Sequence, residues 1–196
     1  MMEITTEQIK ELRDATGVSI MQCKKALEEA EGDMDKAKVI LSKASAKSAS
    51  KKSDRELGAG VVSSYIHAGG SVGSMVELLC ETDFVSKNEE FQELAREIAM
   101  QVAATDPEYI TGEEIDDEIK AKATEIFAGE AEGKPEDIKA KIIEGKLESH
   151  FGEKTLLKQS YIKDPEKTVN TLIEEGVQKF GEKIQIGRIS RFAILQ

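Results

Sequence analysis

The chain has 196 residues, 27 Lys and Arg against 38 Asp and Glu, and a formal net charge of -11. With 39% hydrophobic residues it can build a core and is not intrinsically disordered, and its length fits one or two domains. Six Phe, three Tyr and no Trp on an acidic chain lack the basic stripe and stacking platform of a nucleic-acid binder, so the expected partner is another protein.

The first 41 residues parse as three short helices. Thr5 with Gln8 and Ser19 with Gln22 have capping-box spacing, and Gly17 and Gly32 supply left-handed stops. Ile9 and Leu12 mark the inner face of the first helix, Ile20, Cys23, Leu27 and Ala30 that of the second, and Met34, Ala37, Ile40 and Leu41 that of the third, opened by Asp33. Three such stripes make a small bundle. Met21 falls with Lys24, Lys25 and Glu28 on the polar face of the second helix; it is either part of a docking surface or a lone surface apolar residue.

Residues 42 to 53, built from Ser, Lys and Ala alone, read as a linker, a solvated tether or frayed helix extension. Charge divides at the same place. Residues 1 to 56 carry 11 acidic and 11 basic side chains, so the whole excess of negative charge lies downstream. The expected domains are 1–54, the three-helix module and linker, and 55–196, a core domain.

Beyond the linker the hydrophobic period becomes alternating. Val61 to His67 and Val72 to Glu81 predict a hairpin joined by Ala68-Gly69-Gly70-Ser71. In the return strand Val72, Val76, Leu78 and Cys80 share one face, Met75 and Leu79 the other. Phe91, Leu94, Ala95, Ile98, Ala99 and Val102 predict an amphipathic helix capped by Asn88 and ended by Asp106-Pro107. Residues 113 to 151 predict two charged helices around Gly133-Lys134-Pro135, a projecting helical hairpin, with Ile115, Ile119, Ala123 and Ile126 on the first and Ile138, Ile142 and Leu147 on the second. Asp106 to Glu136 holds 11 acidic and three basic residues, which would repel RNA. A helix from Thr168 to Phe180 and a strand from Ile184 to Leu195 complete an α+β chain whose last strand is expected to join the hairpin.

Metal and catalytic chemistry lack parts. Cys23 and Cys80, 57 positions apart, offer no zinc or disulfide spacing, and His67 and His150 are the only histidines. A thiol enzyme would have to pair Cys80 with His67 across the hairpin; a buried, inert Cys80 is the simpler expectation. No cofactor and no metal are expected. Met1-Met2-Glu3-Ile4 lacks the basic-then-apolar pattern of a secretory signal, and the longest apolar run, Phe192 to Leu195, falls far short of the roughly 20 residues that span a membrane. A cytoplasmic protein without membrane contact is therefore expected.

The most informative segment joins the second strand to the long helix, Cys80-Glu81-Thr82-Asp83-Phe84-Val85-Ser86-Lys87-Asn88. Phe84 stands at a turn, where a large apolar side chain either folds back on the helix or protrudes. Asp83 can accept a backbone hydrogen bond there.

The string ETDFVSKNEEF at 81 to 91, with LRDATGVSIMQCKKALEEAEGDMDKA at 12 to 37, IAMQVAATDPEYI at 98 to 110 and GKPEDIKAKIIEGKL at 133 to 147, closely resembles the bacterial elongation factor Ts family across nearly the whole chain. The resemblance implies a guanine nucleotide exchange factor that binds elongation factor Tu, carries out no covalent chemistry, and has an N-terminal bundle similar to ubiquitin-associated domains. It implies that Thr82, Asp83, Phe84 and Val85 intrude beside the partner's nucleotide site and disturb its magnesium and phosphate contacts. It also implies that the N-terminal module docks on the partner's nucleotide-binding domain, with Leu12, Ile20 and Met21 at or near the contact. Long members carry two related core subdomains and this chain has room for one, which implies a homodimer. The alternative is a ubiquitin-associated-like adaptor that binds ubiquitin or peptides without exchange activity.

Overall fold

A computed structural model describes residues 4–133 and 135–194. Met1, Met2, Glu3, Lys134 and Leu195, which enter the expectations above, lie outside the described residues. The fold is α+β, a three-helix bundle leading into a small antiparallel sheet covered on one face by helices.

Helices α1 (Thr6–Thr16), α2 (Ile20–Glu29) and α3 (Met34–Ser50) form the bundle. The Thr5 and Gln8 capping box is complete. Ser19 accepts from the Gln22 N–H, while the Gln22 side chain takes the Ser19 hydroxyl instead of its backbone. Gly17 closes α1 at φ 67°, a left-handed conformation costly for a residue with a Cβ. Leu12, Val18, Cys23, Ala26, Leu27, Ala30, Ala37 and Leu41 are the buried cluster. Ile20 does not belong to it and is 59% exposed. Val18 takes its place: one residue before the Ser19 cap, it packs inward where a hydrophobic staple meets the fourth helical residue, Cys23, whose thiol donates to the Val18 carbonyl at 3.5 Å.

Of the two readings of the linker, tether or helix extension, the structure shows a helix as far as Ser50. α3 runs without a break to Ser50 and packs along a later helix, α8 (Val169–Phe180), with Ser45 buried and Ala49 against the main core. Ala and Lys are strong helix formers. The absence of large side chains, which suggested a tether, is what lets α3 approach its neighbour closely.

Strands β1 (Ala59–Ile66), β2 (Val72–Cys80) and β5 (Ile184–Ala193) form the sheet in the order β1-β2-β5, all antiparallel. Ala59 pairs with Cys80 and Tyr65 with Ser74; Cys80 pairs with Ile184, and a bulge at Gly187 shifts the register beyond Leu78. The last strand therefore joins the hairpin at β2, as expected. One face, built from Ser74, Val76, Leu78, Cys80, Ile184 and Ile186, is buried under α5 (Glu89–Thr105) and α8. Phe91 of α5 meets Phe180 of α8 edge-on at 5.7 Å between ring centroids. The other face is open and exposes Val62, Ile66, Met75 and Phe192.

Helices α6 (Asp117–Glu130) and α7 (Glu136–Lys154) form the expected hairpin, with a separate small core of Ile115, Ala123 and Phe151. Ile119, Ile126 and Ile138 are exposed instead of buried, because two helices share one seam and have no third layer to cover a wider stripe. Between this hairpin and α8 lies a two-stranded ribbon, β3 (Ser160–Tyr161) and β4 (Asp164–Thr168), that no alternation of apolar residues announces. It is tied to the core by Gln101, fully buried, whose amide donates to the Ser160 carbonyl at 3.1 Å and accepts from the Ile162 N–H at 2.9 Å. Among the described residues no helix is long and apolar enough to cross a membrane.

Candidate partner-binding site

A single helical turn, α4 (Asp83–Ser86), follows β2 directly. Successive residues on a helix point about 100° apart, so Phe84 and Val85 cannot both face the core. Val85 is the one that does, at 5% exposure, while Phe84 is 82% exposed, the highest exposure among the large apolar side chains of the described residues. The fold-back alternative is thereby excluded: Phe84 protrudes.

The turn is tethered on each side. Thr82, the residue before α4, does not cap it; its hydroxyl donates to Glu182 Oε1 at 2.6 Å. Asp83 pairs with Lys87 one turn on at 2.6 Å, on the surface, and the Ser86 hydroxyl donates to the Asp83 carbonyl at 3.1 Å. Gln92 of α5 donates to the Ser86 carbonyl at 3.3 Å, and Asn88 caps α5 through the Glu90 N–H. Four consecutive predicted residues thus form one local feature, with Val85 as its anchor and Thr82, Asp83 and Phe84 at its surface.

Three carboxylates at and near this corner are held below the usual carboxylate range. The Lys87 ammonium hydrogen-bonded to Asp83 lowers the first, the Lys183 N–H bonded to Glu81 lowers the second, and the Arg188 fork on Glu77 lowers the third. A carboxylate with a depressed folded-state pKa contributes stability that is present above its unfolded pKa and lost as pH falls through the folded one. The urea midpoint is therefore expected to stay level down to about pH 5 and fall on further acidification below about pH 4. A midpoint that stays level through that acid window would contradict these pairings.

The thiol-enzyme arrangement is absent. Cys80 is fully buried and opposite Ala59 at one end of the hairpin, whereas His67 lies beside the turn at the other, hydrogen-bonded to Tyr65 at 3.2 Å. Burial pushes the Cys80 thiol pKa up, with the Glu182 charge adding to it, and its Sγ donates to the Thr82 carbonyl at 3.2 Å. Such a thiol is a packing group. No group of His, Cys, Asp or Glu among the described residues is arranged to hold a metal ion.

The N-terminal positions separate. Met21 is 79% exposed beside Ile20 on α2, a contiguous pair open to a partner. Leu12 is fully buried; it can support that surface from within and cannot touch a partner, because the bundle core needs it. Glu182 and Arg55, which brace the turn from distant parts of the chain, carry no local signal in the sequence that would single them out.

Comparison with known proteins shows what the chain is similar to. The elongation factor Ts of Thermodesulfovibrio yellowstonii is 49% identical over 196 residues, covering 100% of this chain and 98% of that protein. That of Carboxydothermus hydrogenoformans is 48% identical over 193 residues, 97% of this chain and 89% of the relative, and that of Desulforamulus reducens is 47% identical over 194 residues. The family model described as Elongation factor TS matches residues 24–196, which include the whole sheet and the Thr82–Val85 turn. The chain belongs to the elongation factor Ts family.

Proposed function

We propose that the chain is a guanine nucleotide exchange factor that binds elongation factor Tu with GDP, promotes GDP release during translation elongation in the cytoplasm, and leaves when GTP rebinds. The observation that carries the reading is Phe84, a large apolar side chain 82% exposed on a turn that is fixed at both ends. Thr82, Asp83, Phe84 and Val85 form the wedge: Phe84 enters beside the partner's nucleotide site, Val85 and Thr82 hold its base, and Asp83 shapes the turn with Lys87. Displacing groups that support the partner's magnesium removes the main charge neutralising the GDP phosphates. No bond chemistry by this chain is needed.

Two parts divide the work: residues 1–54 dock through Ile20 and Met21, and 55–196 carry the wedge. Coupling between exchange factor and nucleotide is reciprocal, so bound nucleotide must expel the factor by as much as the factor weakens the nucleotide. Antagonism of about 4 kcal/mol corresponds to roughly a thousandfold weakening. Gel filtration is expected to show a stable complex with nucleotide-free elongation factor Tu that excess GDP and magnesium dissolve. A complex indifferent to nucleotide would overturn the exchange reading in favour of simple adaptor binding.

We also read the chain as a homodimer that joins through the open face of the sheet. Ile66, Met75, Phe192 and Ile194 are exposed there as one apolar patch, and the Ile66 side chain lies over Gly73, where a Cβ would meet it at 2.6 Å. A second copy fits because the patch is apolar, continuous across β1, β2 and β5, and left uncovered by any element of the chain's own described residues. Phe192→Glu, on a residue 73% exposed, is expected to raise the dimer dissociation constant at least about thirtyfold, the loss of one aromatic anchor. Sedimentation equilibrium checks this, and an unchanged constant would remove the sheet face as the interface.

A further inference from the structure

The turn that carries Phe84 is one helical turn long and lacks a side-chain cap of its own. Its direction is fixed from outside, by two carboxylates from segments about a hundred residues apart that each serve the other's backbone. Glu182 lies between α8 and β5. Its Oε2 accepts the N–H groups of Glu81 at 3.1 Å and Thr82 at 3.0 Å, and its Oε1 accepts the Thr82 hydroxyl at 2.6 Å. Glu81, at the end of β2, accepts in return the Lys183 N–H at 2.5 Å. Arg55 Nη1 donates to both Glu81 oxygens at 3.1 and 3.3 Å, and the Lys183 ammonium donates to the Arg55 carbonyl at 3.1 Å.

We propose that this reciprocal latch sets the direction in which Phe84 leaves the core, with Glu182 as its positioning residue; its consequence for nucleotide release rests on the exchange reading above. Three donors converge on one carboxylate immediately before the turn, and Val85 enters the core immediately after Phe84. The exposed side chain is thus held by fixed points on both sides. Hydrogen bonds to a charged acceptor are stronger than neutral ones. Their energy here goes into pre-ordering the turn, so that a partner does not have to order it on contact. An amide at 182 is uncharged and has one acceptor oxygen where the carboxylate has two, so Glu182→Gln loses the charge-assisted bonds to the Glu81 and Thr82 N–H groups and the acceptor of the Thr82 hydroxyl, which loosens the latch with little change in volume.

The sequence contains no Trp, so Phe84→Trp introduces a single indole reporter at the tip. Time-resolved anisotropy of that reporter reads positioning without any partner. The fast, local component of the decay is expected to at least double in amplitude when Glu182→Gln is added, while circular dichroism and the slow, whole-molecule component stay as they were. Unchanged local motion overturns the latch.

Release of fluorescent GDP from elongation factor Tu gives the second readout, with the parent, Glu182→Gln, Phe84→Ala and the double variant. Glu182→Gln is expected to lower the maximal stimulated rate about tenfold, equal to about 1.4 kcal/mol, with little change in half-saturating concentration. It should add nothing further on top of Phe84→Ala, whereas a merely destabilising change would lower both backgrounds alike. An equal further loss in the double variant overturns the positioning role. If the parent itself fails to accelerate release while the anisotropy responds as expected, the latch stands and the exchange reading falls.

Discussion

Phe84→Ala is expected to reduce stimulated GDP release from elongation factor Tu by about a hundredfold, the equivalent of about 2.8 kcal/mol and typical of a dominant aromatic contact. The same change should leave the chain's own stability within about 0.5 kcal/mol, because an exposed side chain away from caps and buried networks contributes little to folding. This combination is diagnostic. A residue 82% exposed cannot be retained for the core, so a large functional loss without a stability loss assigns it to a partner. The loss should also depend on magnesium. When the ion is chelated, elongation factor Tu already lacks the group that the wedge is proposed to disturb, and the advantage of the parent over Phe84→Ala should shrink to within a few fold. Fluorescent GDP release with and without chelator checks both statements. Equal rates for parent and variant in magnesium would remove Phe84 from the mechanism.

The second large effect is on stability. Phe91→Ala is expected to destabilise the chain by about 4 kcal/mol, the usual cost of deleting a buried aromatic ring and leaving part of the space unfilled. Phe91 is fully buried, sits in the first turn of α5, and meets Phe180 edge-on. It joins α5 to α8 within the main core. Against a total stability of about 5 to 15 kcal/mol for a domain, such a loss should lower the thermal midpoint by about 10 °C. Urea and thermal unfolding followed by circular dichroism measure it. A change below about 1 kcal/mol would mean that the helical layer closes over the gap, and that Phe91 is not the joint described here.

Where local periodicity and burial agree, the sequence was readable. The α5 stripe from Phe91 to Val102, the hairpin across Gly69 and Gly70 and the helix before β5 all appear where their residues predict them. Each has one broad apolar face and an end signal within a few positions. The failures share a different cause. Residues 42 to 50 left a tether and a frayed helix extension open because the helix that α3 packs against, α8, lies more than 100 positions away. Ile20 matched the α2 stripe by phase, but Val18, outside the helix, fills the inner position. The β3–β4 ribbon depends on the buried Gln101 amide and not on an apolar pattern.

The candidate site was legible in the same uneven way. The resemblance picked out Thr82 to Val85 as a unit, and the structure divides that unit by residue: Val85 in the core, Phe84 in solvent, Thr82 bound to Glu182, Asp83 paired with Lys87. Met21 could be read as exposed from helix phase alone, whereas Leu12 could not be separated from a contact residue until its burial was seen. Glu182 is one of 38 acidic residues, and no spacing rule links it to Thr82. Support of this kind is a property of tertiary approach, invisible to local pattern.

The central claim is tested most directly by stopped-flow release of a fluorescent GDP from an excess of cognate elongation factor Tu, in magnesium, with the unmodified chain at catalytic concentration. The account predicts multiple turnovers: each molecule of the chain should discharge many molecules of GDP, because rebinding nucleotide expels it. Release no faster than the spontaneous rate, despite a complex detectable between the two proteins, would contradict it.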